Sequence, residues 1–490
     1  MSGTASCCLD RRGAGVLLHL SSLPGPGACG QLGPAAFRFV EFLAACGMAV
    51  WQMLPVGPTA ADGSPYQSGS VHAGNRRFIA AEPLVAAGWL DAADAQGEVD
   101  VWLARAWRNF RTSATASARR ELEDFCRHQA YWLEDYALFA ALQDDRPGGW
   151  WSWPTGLRDR EPQAMAEARA RLHERIALVR FEQFLFFTQW AALKAHANAR
   201  GVRLFGDMPI FVAHDSAEVW AHRDLFSLDE RGLPTVVAGV PPDYFSATGQ
   251  RWGNPLYRWD ALQRDGFRFW IDRLCTQLKL FDLVRIDHFR GFEAYWEIPA
   301  SEPVAVHGRW VQAPGKTLFE RLHEVYDPLP VVAEDLGVIT AEVEALRDGF
   351  GLPGMKILQF AFSGGPTNPY LPYNHPERSV VYTGTHDNDT TVGWFAALPE
   401  GERAHVEDFL GRPTEAMPWP LIRCALASPA RLAILPMQDL LALDGRHRMN
   451  LPGTHEGNWL WRFEWEQVPP VLAGRVRHLV SLYGRLRGGG

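Results

Sequence analysis

A chain of 490 residues with 47% hydrophobic content is long enough to bury a large core. Its formal charge of −8 comes from 48 basic and 56 acidic residues mixed along the sequence, which excludes a nucleic-acid footprint and a polybasic membrane patch and leaves a neutral partner as the expectation. No run approaches the roughly 18 apolar residues of a membrane helix, the start MSGTASCCLDRRGAG has no signal-peptide core, and the scattered cysteines include no Cys-x-x-Cys pair. The expected setting is cytoplasmic, without a zinc or redox site.

The first strand-like run is GVLLHLSSLP (15–24), followed by the helix-period segment PAAFRFVEFLAACG (34–47) and a second run, AVWQMLPVGP (49–58). The third run, VRLFGDMPIFV (202–212), comes only after a gap that no ordinary crossover fills. Residues 60–200 are therefore expected to form a largely helical insertion, with ARRELEDFCRHQAYWLEDYALFAALQ (118–143) and EARARLHERIALVRFEQFLFFTQWAALKAHANAR (167–200) as its main helices. The stretch VVAGVPPDYFSATGQRWGNPLYRWD (236–260) is rich in Gly, Pro and aromatics, and is expected to be an irregular binding loop. A helical segment, FRFWIDRLCTQL (267–278), then precedes LVRIDHF (283–289) and PVVAEDLG (330–337); another, TAEVEALRDGF (340–350), precedes GMKILQF (354–360), VVYTGTHD (380–387) and LAILPMQDLL (432–441). Strands alternating with helices in this way predict an α/β fold, a parallel (β/α)8 TIM barrel with its active site at the carboxyl ends of the strands. No internal repeat or Ser/Gly linker divides the chain, so residues 1–490 are expected to be one catalytic domain.

Charge inside a strand is the first chemical signal. In LVRIDHF, period-2 alternation puts Leu283, Arg285, Asp287 and Phe289 on one face and Val284, Ile286 and His288 on the other. Val284 and Ile286 suit the outer helices, so Arg285 and Asp287 point into the barrel near its mouth. An ion pair there gains little stability after desolvation, which favours a functional reading. Two further strands end in acid: PVVAEDLG brings Glu334 and Asp335, and VVYTGTHDND brings His386, Asp387 and Asp389. Asp335 and Asp389 fit helix caps or supporting positions equally well. The 20 tryptophans add a carbohydrate candidate, since flat aromatic faces stack on sugar rings, although large cores use Trp too.

Retaining glycosidases and transglycosidases need two carboxylates about 5 to 5.5 Å apart. Asp287, held ionised by Arg285, is the expected nucleophile; Glu334, on a longer arm, is the expected acid and then base. Asp387 is placed to grip sugar hydroxyls, with His288 and His386 as hydroxyl donors.

The motifs DLVRIDHFRGF, AEDLG and GTHDNDT resemble those of the 4-alpha-glucanotransferases called amylomaltases or disproportionating enzymes, within the alpha-amylase-like clan. SSLPGP (21–26), GSPYQS (63–68), GDMPIFV (206–212), PPDYFSATGQRWGNPLY (241–257) and GNWLWR (457–462) extend the likeness over nearly the whole chain. The resemblance implies the same three carboxylates, with Asp387 stabilising the transition state. It further implies that Arg285, His288, His386 and Asp207 line the site of the transferred glucose, and that Tyr66 offers a stacking face. Asp243, Tyr244, Phe245 and Trp252 fall in a loop that in such enzymes arches over the glucan, and Asn458 falls in a motif of the sugar-binding wall. Maltooligosaccharides, glucose and longer glucans such as amylose or glycogen are the implied partners, and catalysis needs no nucleotide, metal or organic cofactor. The chain departs from the family pattern at GACGQLG, with Cys29 and Gln31, and at VHAGN, with His72.

Transfer rather than hydrolysis requires an acceptor held in place and water kept out, a role the aromatic loop could fill. Three other readings stay open on the residues alone. A hydrolase of the alpha-amylase type uses the same barrel and acids. A metal-dependent barrel hydrolase is disfavoured, because LLHLSS offers only His19 and Arg285 would repel a cation. A glucan-binding protein without turnover is the last.

Overall fold

Runs of β-branched and apolar residues build the strands, and where each run finds its partner decides the architecture. The computed structural model describes residues 9–25, 27–60, 62–242, 246–454 and 456–486. In chain order its strands are β1 (Gly13–Leu17), β2 (Val50–Gln52), β3 (Arg203–Pro209), β4 (Val236–Val240), β5 (Gln250–Pro255), β6 (Leu283–Asp287), β7 (Ala294–Pro299), β8 (Arg309–Gln312), β9 (Val331–Ala333), β10 (Gly354–Ile357), β11 (Ser379–Tyr382) and β12 (Leu432–Pro436). Eight of them form one parallel sheet in the order β10-β11-β12-β1-β2-β3-β6-β9. Its two ends meet where Ala333 N donates to Pro353 O at 2.9 Å, so the sheet curls into a barrel. These are the eight runs read from the sequence.

Alternation along each strand sorts the side chains as expected. Leu17, Val50, Phe205, Leu283, Val332, Met355, Ile357, Val380 and Ile434 fill the interior. Val16, Trp51, Leu204, Val284, Ile286, Val381 and Leu435 belong to the layer that packs under the helices. The helix Pro34–Cys46 shows why such segments stop where they do: proline in its first turn needs no N–H partner, and Gly47, at φ 73°, takes the left-handed C-cap. Asp335 helps close the barrel by accepting Met355 N at 2.6 Å and pairing with Arg347. A Cβ at Gly354 would collide with that carboxylate.

Between β2 and β3 the chain runs through helices, with breaks that the sequence periodicity did not show. The run 118–143 divides at Gln129 into Ala116–His128 and Ala130–Asp145, and the run 167–200 divides at Leu172 into Pro162–Arg171 and His173–Ala199. On the long helix His173–Ala199, Gln183 exchanges two hydrogen bonds with the backbone of Gly74, and Gln189 does the same with Ala80.

The stretch 236–260 is not the irregular loop expected. It supplies β4 and β5 to a second, antiparallel sheet in the order β5-β4-β7-β8. Val236, Val237 and Val240 are β-formers on a strand that pairs with the nearby β5, but its second partner, β7, lies more distant in the chain and left no local signature. Among the described residues no helix is long and apolar enough to cross a membrane.

Candidate active site

Strand register assembles the polar cluster. Asp207 on β3 stands opposite Arg285 on β6, and Arg285 stands opposite Val332 on β9, two residues before Glu334. Glu334 N then donates to Ile286 O at 3.0 Å, which fixes Glu334 beside the end of β6. The guanidinium of Arg285, with only 6% of its side chain exposed, bridges two acids, donating to Asp207 Oδ2 and to Asp287 Oδ1 at 2.5 Å each. The inward Arg-x-Asp is therefore the centre of a network rather than an isolated pair.

Tyr66 joins that network from the loop after β2. Its hydroxyl donates to Asp207 Oδ2 at 2.7 Å and lies 2.8 Å from His386 Nε2. A hydroxyl has one proton to give, so Nε2 of His386 carries the hydrogen and donates to the Tyr66 oxygen. The same Nε2 lies 3.3 Å from Asp387 Oδ2, and the Tyr66 and His386 rings stack at 5.5 Å. Burial holds His386 below the ordinary histidine value, while Asp387 pulls the other way.

At His288 the strand geometry breaks. Its φ of 57° and ψ of 50° lie in the left-handed region, which is uncommon for any residue but glycine. The turn aims His288 N at Glu334 Oε2, 2.7 Å away, while Leu336 N donates to Glu334 Oε1 at 2.9 Å. It also corrects the expected facing of Phe289. That ring packs outward with Phe292 and Phe319, because alternation ends one residue earlier. The His288 ring meets the edge of Trp252 on β5 at 4.8 Å.

Asp387, after β11, is 44% exposed; it accepts Asn450 Nδ2 on Oδ1 at 2.6 Å, and its backbone carbonyl accepts Arg448 at 2.8 Å. Trp459, at φ 66°, stands 5.9 Å from Tyr66 and 6.1 Å from His386, ring centre to ring centre. Asn458 uses its side chain within its own loop, accepting Leu451 N and donating to Thr454. Sequence reading named Asn458 and missed Arg448, Asn450 and Trp459, although the Trp of GNWLWR was the available signal. Asp243, Tyr244 and Phe245 lie outside the described residues.

Burial sets the electrostatics. It pushes the Asp287 carboxyl up to about 8; Arg285 opposes, while Asp207, Glu334 and Asp387 reinforce it. Burial also raises Glu334, against Arg285 and the His288 and Leu336 amides. Arg285, expected to hold Asp287 ionised, is thus opposed by desolvation and three neighbouring acids. A partly buried pair of acids with raised affinity for a proton, beside a cation and hydroxyl-binding groups, is equipped for proton transfer and nucleophilic attack.

Comparison with known proteins gives the chain's family. Residues 18–467 match the model of the 4-alpha-glucanotransferase family. The chain is 54% identical to the 4-alpha-glucanotransferase of Thermus thermophilus, covering 97% of this chain and 99% of that one. It is 47% identical to the corresponding enzyme of Synechocystis, with the same coverage. A solved amylomaltase from Streptococcus agalactiae, in complex with acarbose, superposes with a TM-score of 0.94 at 37% identity, over 97% of this chain and all of that one.

Proposed function

Since the chain belongs to the 4-alpha-glucanotransferase family and is a glucan-transferring enzyme, we propose that Asp287 and Glu334 carry the transfer as nucleophile and acid/base. One observation carries this reading: Arg285 bridges Asp207 and Asp287 while Glu334, at the same barrel mouth, takes no bond from it. With both acids raised, the pair keeps one proton near neutrality. Arg285 favours the charge on Asp287, which leaves the proton on Glu334.

In the first step Asp287 forms a bond to the anomeric carbon while the glycosidic C–O bond breaks and Glu334 protonates the departing oxygen. In the second step the 4-hydroxyl of an acceptor attacks that carbon, gives its proton to Glu334 and releases Asp287. Asp387, half open and steadied by Asn450, grips ring hydroxyls as the sugar flattens. Tyr66, His386 and Trp459 form an aromatic wall for the glucose being moved. Trp252 against His288 forms an apolar cover that shields the glycosyl-enzyme from water. Donors are α-1,4-linked maltooligosaccharides or longer glucans, and glucose is the smallest acceptor. Cys29, Cys46, Cys126, Cys275 and Cys424 are free thiols, which supports a cytoplasmic setting.

The test is incubation with maltotriose alone, beside Asp287→Asn. Glucose plus a ladder of longer maltooligosaccharides, absent with the variant, is the expected result. Glucose and maltose with nothing longer than the substrate would overturn transfer in favour of hydrolysis.

A further inference from the structure

Tyr66 reaches the reacting groups from a loop, so something must hold that loop still. Backbone bonds tie it at Gly69 to Pro58 and Ala217, and a carboxylate on another element ties it further. Glu218, on the short helix Ala217–Ala221, is 5% exposed and accepts Ser70 Oγ–H at 2.7 Å and Val71 N–H at 3.0 Å. One residue earlier, Ala217 N donates to Gly69 O at 3.0 Å. We propose that Glu218 is a positioning residue for glucan transfer, clamping Ser70 and Val71 so that their loop presents Tyr66 to Asp207, Arg285 and His386. This rests on the reading of those residues as the active site.

The clamp has a required charge. Ser70 Oγ already accepts His72 N and Ala73 N, both at 3.1 Å, so its two lone pairs are taken and its hydrogen must go outward. Both donors aimed at Glu218 thus call for a carboxylate, and a protonated acid would leave one of them unmatched. Burial pushes Glu218 up to about 7, against Ser70, Val71 and Arg273. The clamp therefore loosens as pH falls through that value.

Few neighbours change charge in the same range. Arg273 on the helix Arg268–Leu280 is a fixed cation, burial raises Tyr136 on Ala130–Asp145 and lifts Tyr257 to about 12, and burial lowers His72 to about 3. His222, at the end of the same short helix, is likewise lowered by burial. A cavity of about 300 Å3 is lined by Glu218 and His72 together with Asp135, Asp265, Arg268 and Asp272.

Glu218→Gln stands in for the protonated clamp. Its kcat on maltotriose, divided by that of the unmodified chain, is expected to fall about tenfold at pH 8 and to return to within about twofold at pH 5.5, since the active-site titration is common to both. A ratio independent of pH overturns the proposal. Ser70→Ala, which removes one bond without a charge change, should lower kcat about threefold; an unchanged kcat there overturns it as well, even if the Gln variant does not fold. An unmodified chain that makes no longer maltooligosaccharides fails the active-site reading itself, and the proposal falls with it, whereas a normal ladder with a flat ratio fails the proposal alone.

Discussion

Two sides of the barrel mouth use buried acid in opposite ways. After β12, Asp439 is fully buried and bonded through both oxygens: it accepts Thr383 Oγ1 at 2.6 Å, Thr391 Oγ1 at 2.7 Å and Thr391 N at 2.8 Å. After β6, Asp287 takes Arg285 on one oxygen and keeps 30% of its side chain exposed. Both are raised by burial, so proton affinity alone does not separate them. The number of donors does. A carboxylate that holds three donors across both oxygens fixes backbone, here the segment that carries His386 and Asp387, while one with an oxygen left free can attack a substrate.

The sharpest test of that contrast is Asp287→Asn, which should lower disproportionation of maltotriose by about ten-thousandfold or more while leaving a cooperative melt. Arg285→Ala should cost about a thousandfold in kcat/KM and destabilise by about 3–5 kcal/mol in denaturant titration, because it strands Asp207 beside Asp287. Retained activity in that variant would break the network reading. Asp439→Asn should invert the pattern, with about 1–3 kcal/mol of lost stability but kcat within about tenfold at low temperature. A pH series of kcat/KM should fall on the alkaline side above the ordinary carboxylate range, where Glu334, raised by burial, loses the proton that the leaving group needs. A flat alkaline limb to pH 9.5 would remove the shared proton from the mechanism. The smallest effect is expected from Trp459→Ala, about tenfold and mostly in KM, because an aromatic wall binds more than it reacts.

What the sequence made legible follows from local rules. Eight β-branched runs and period-2 facing of Leu283 through Ile286 placed Arg285 and Asp287 inside the barrel mouth, as found. Facing failed at Phe289 because His288 leaves the strand conformation, and a left-handed histidine has no marker in composition. β4 and β5 were missed because β7, the strand that ties their pair into a sheet, is remote in the chain, and Asn450 and Trp459 because loops reach a site through tertiary folding. Asp335 and Asp389 were left open as supporting acids. Asp335 holds Met355 N and Arg347, and Asp389 accepts its neighbour Thr390 N, so neither is drawn into the Arg285 network.

Gln183 and Gln189 give the helix His173–Ala199 an odd office. Each side-chain amide faces a backbone amide as a neighbouring strand would, donor to acceptor and acceptor to donor. The helix thus acts as a surrogate sheet edge for the segment 74–80, downstream of the Tyr66 loop. Trimming the helices away to obtain a minimal barrel would leave Gly74 and Ala80 with unmatched amides directly behind the catalytic loop, so the insertion and the active site must be inherited, transplanted or redesigned together.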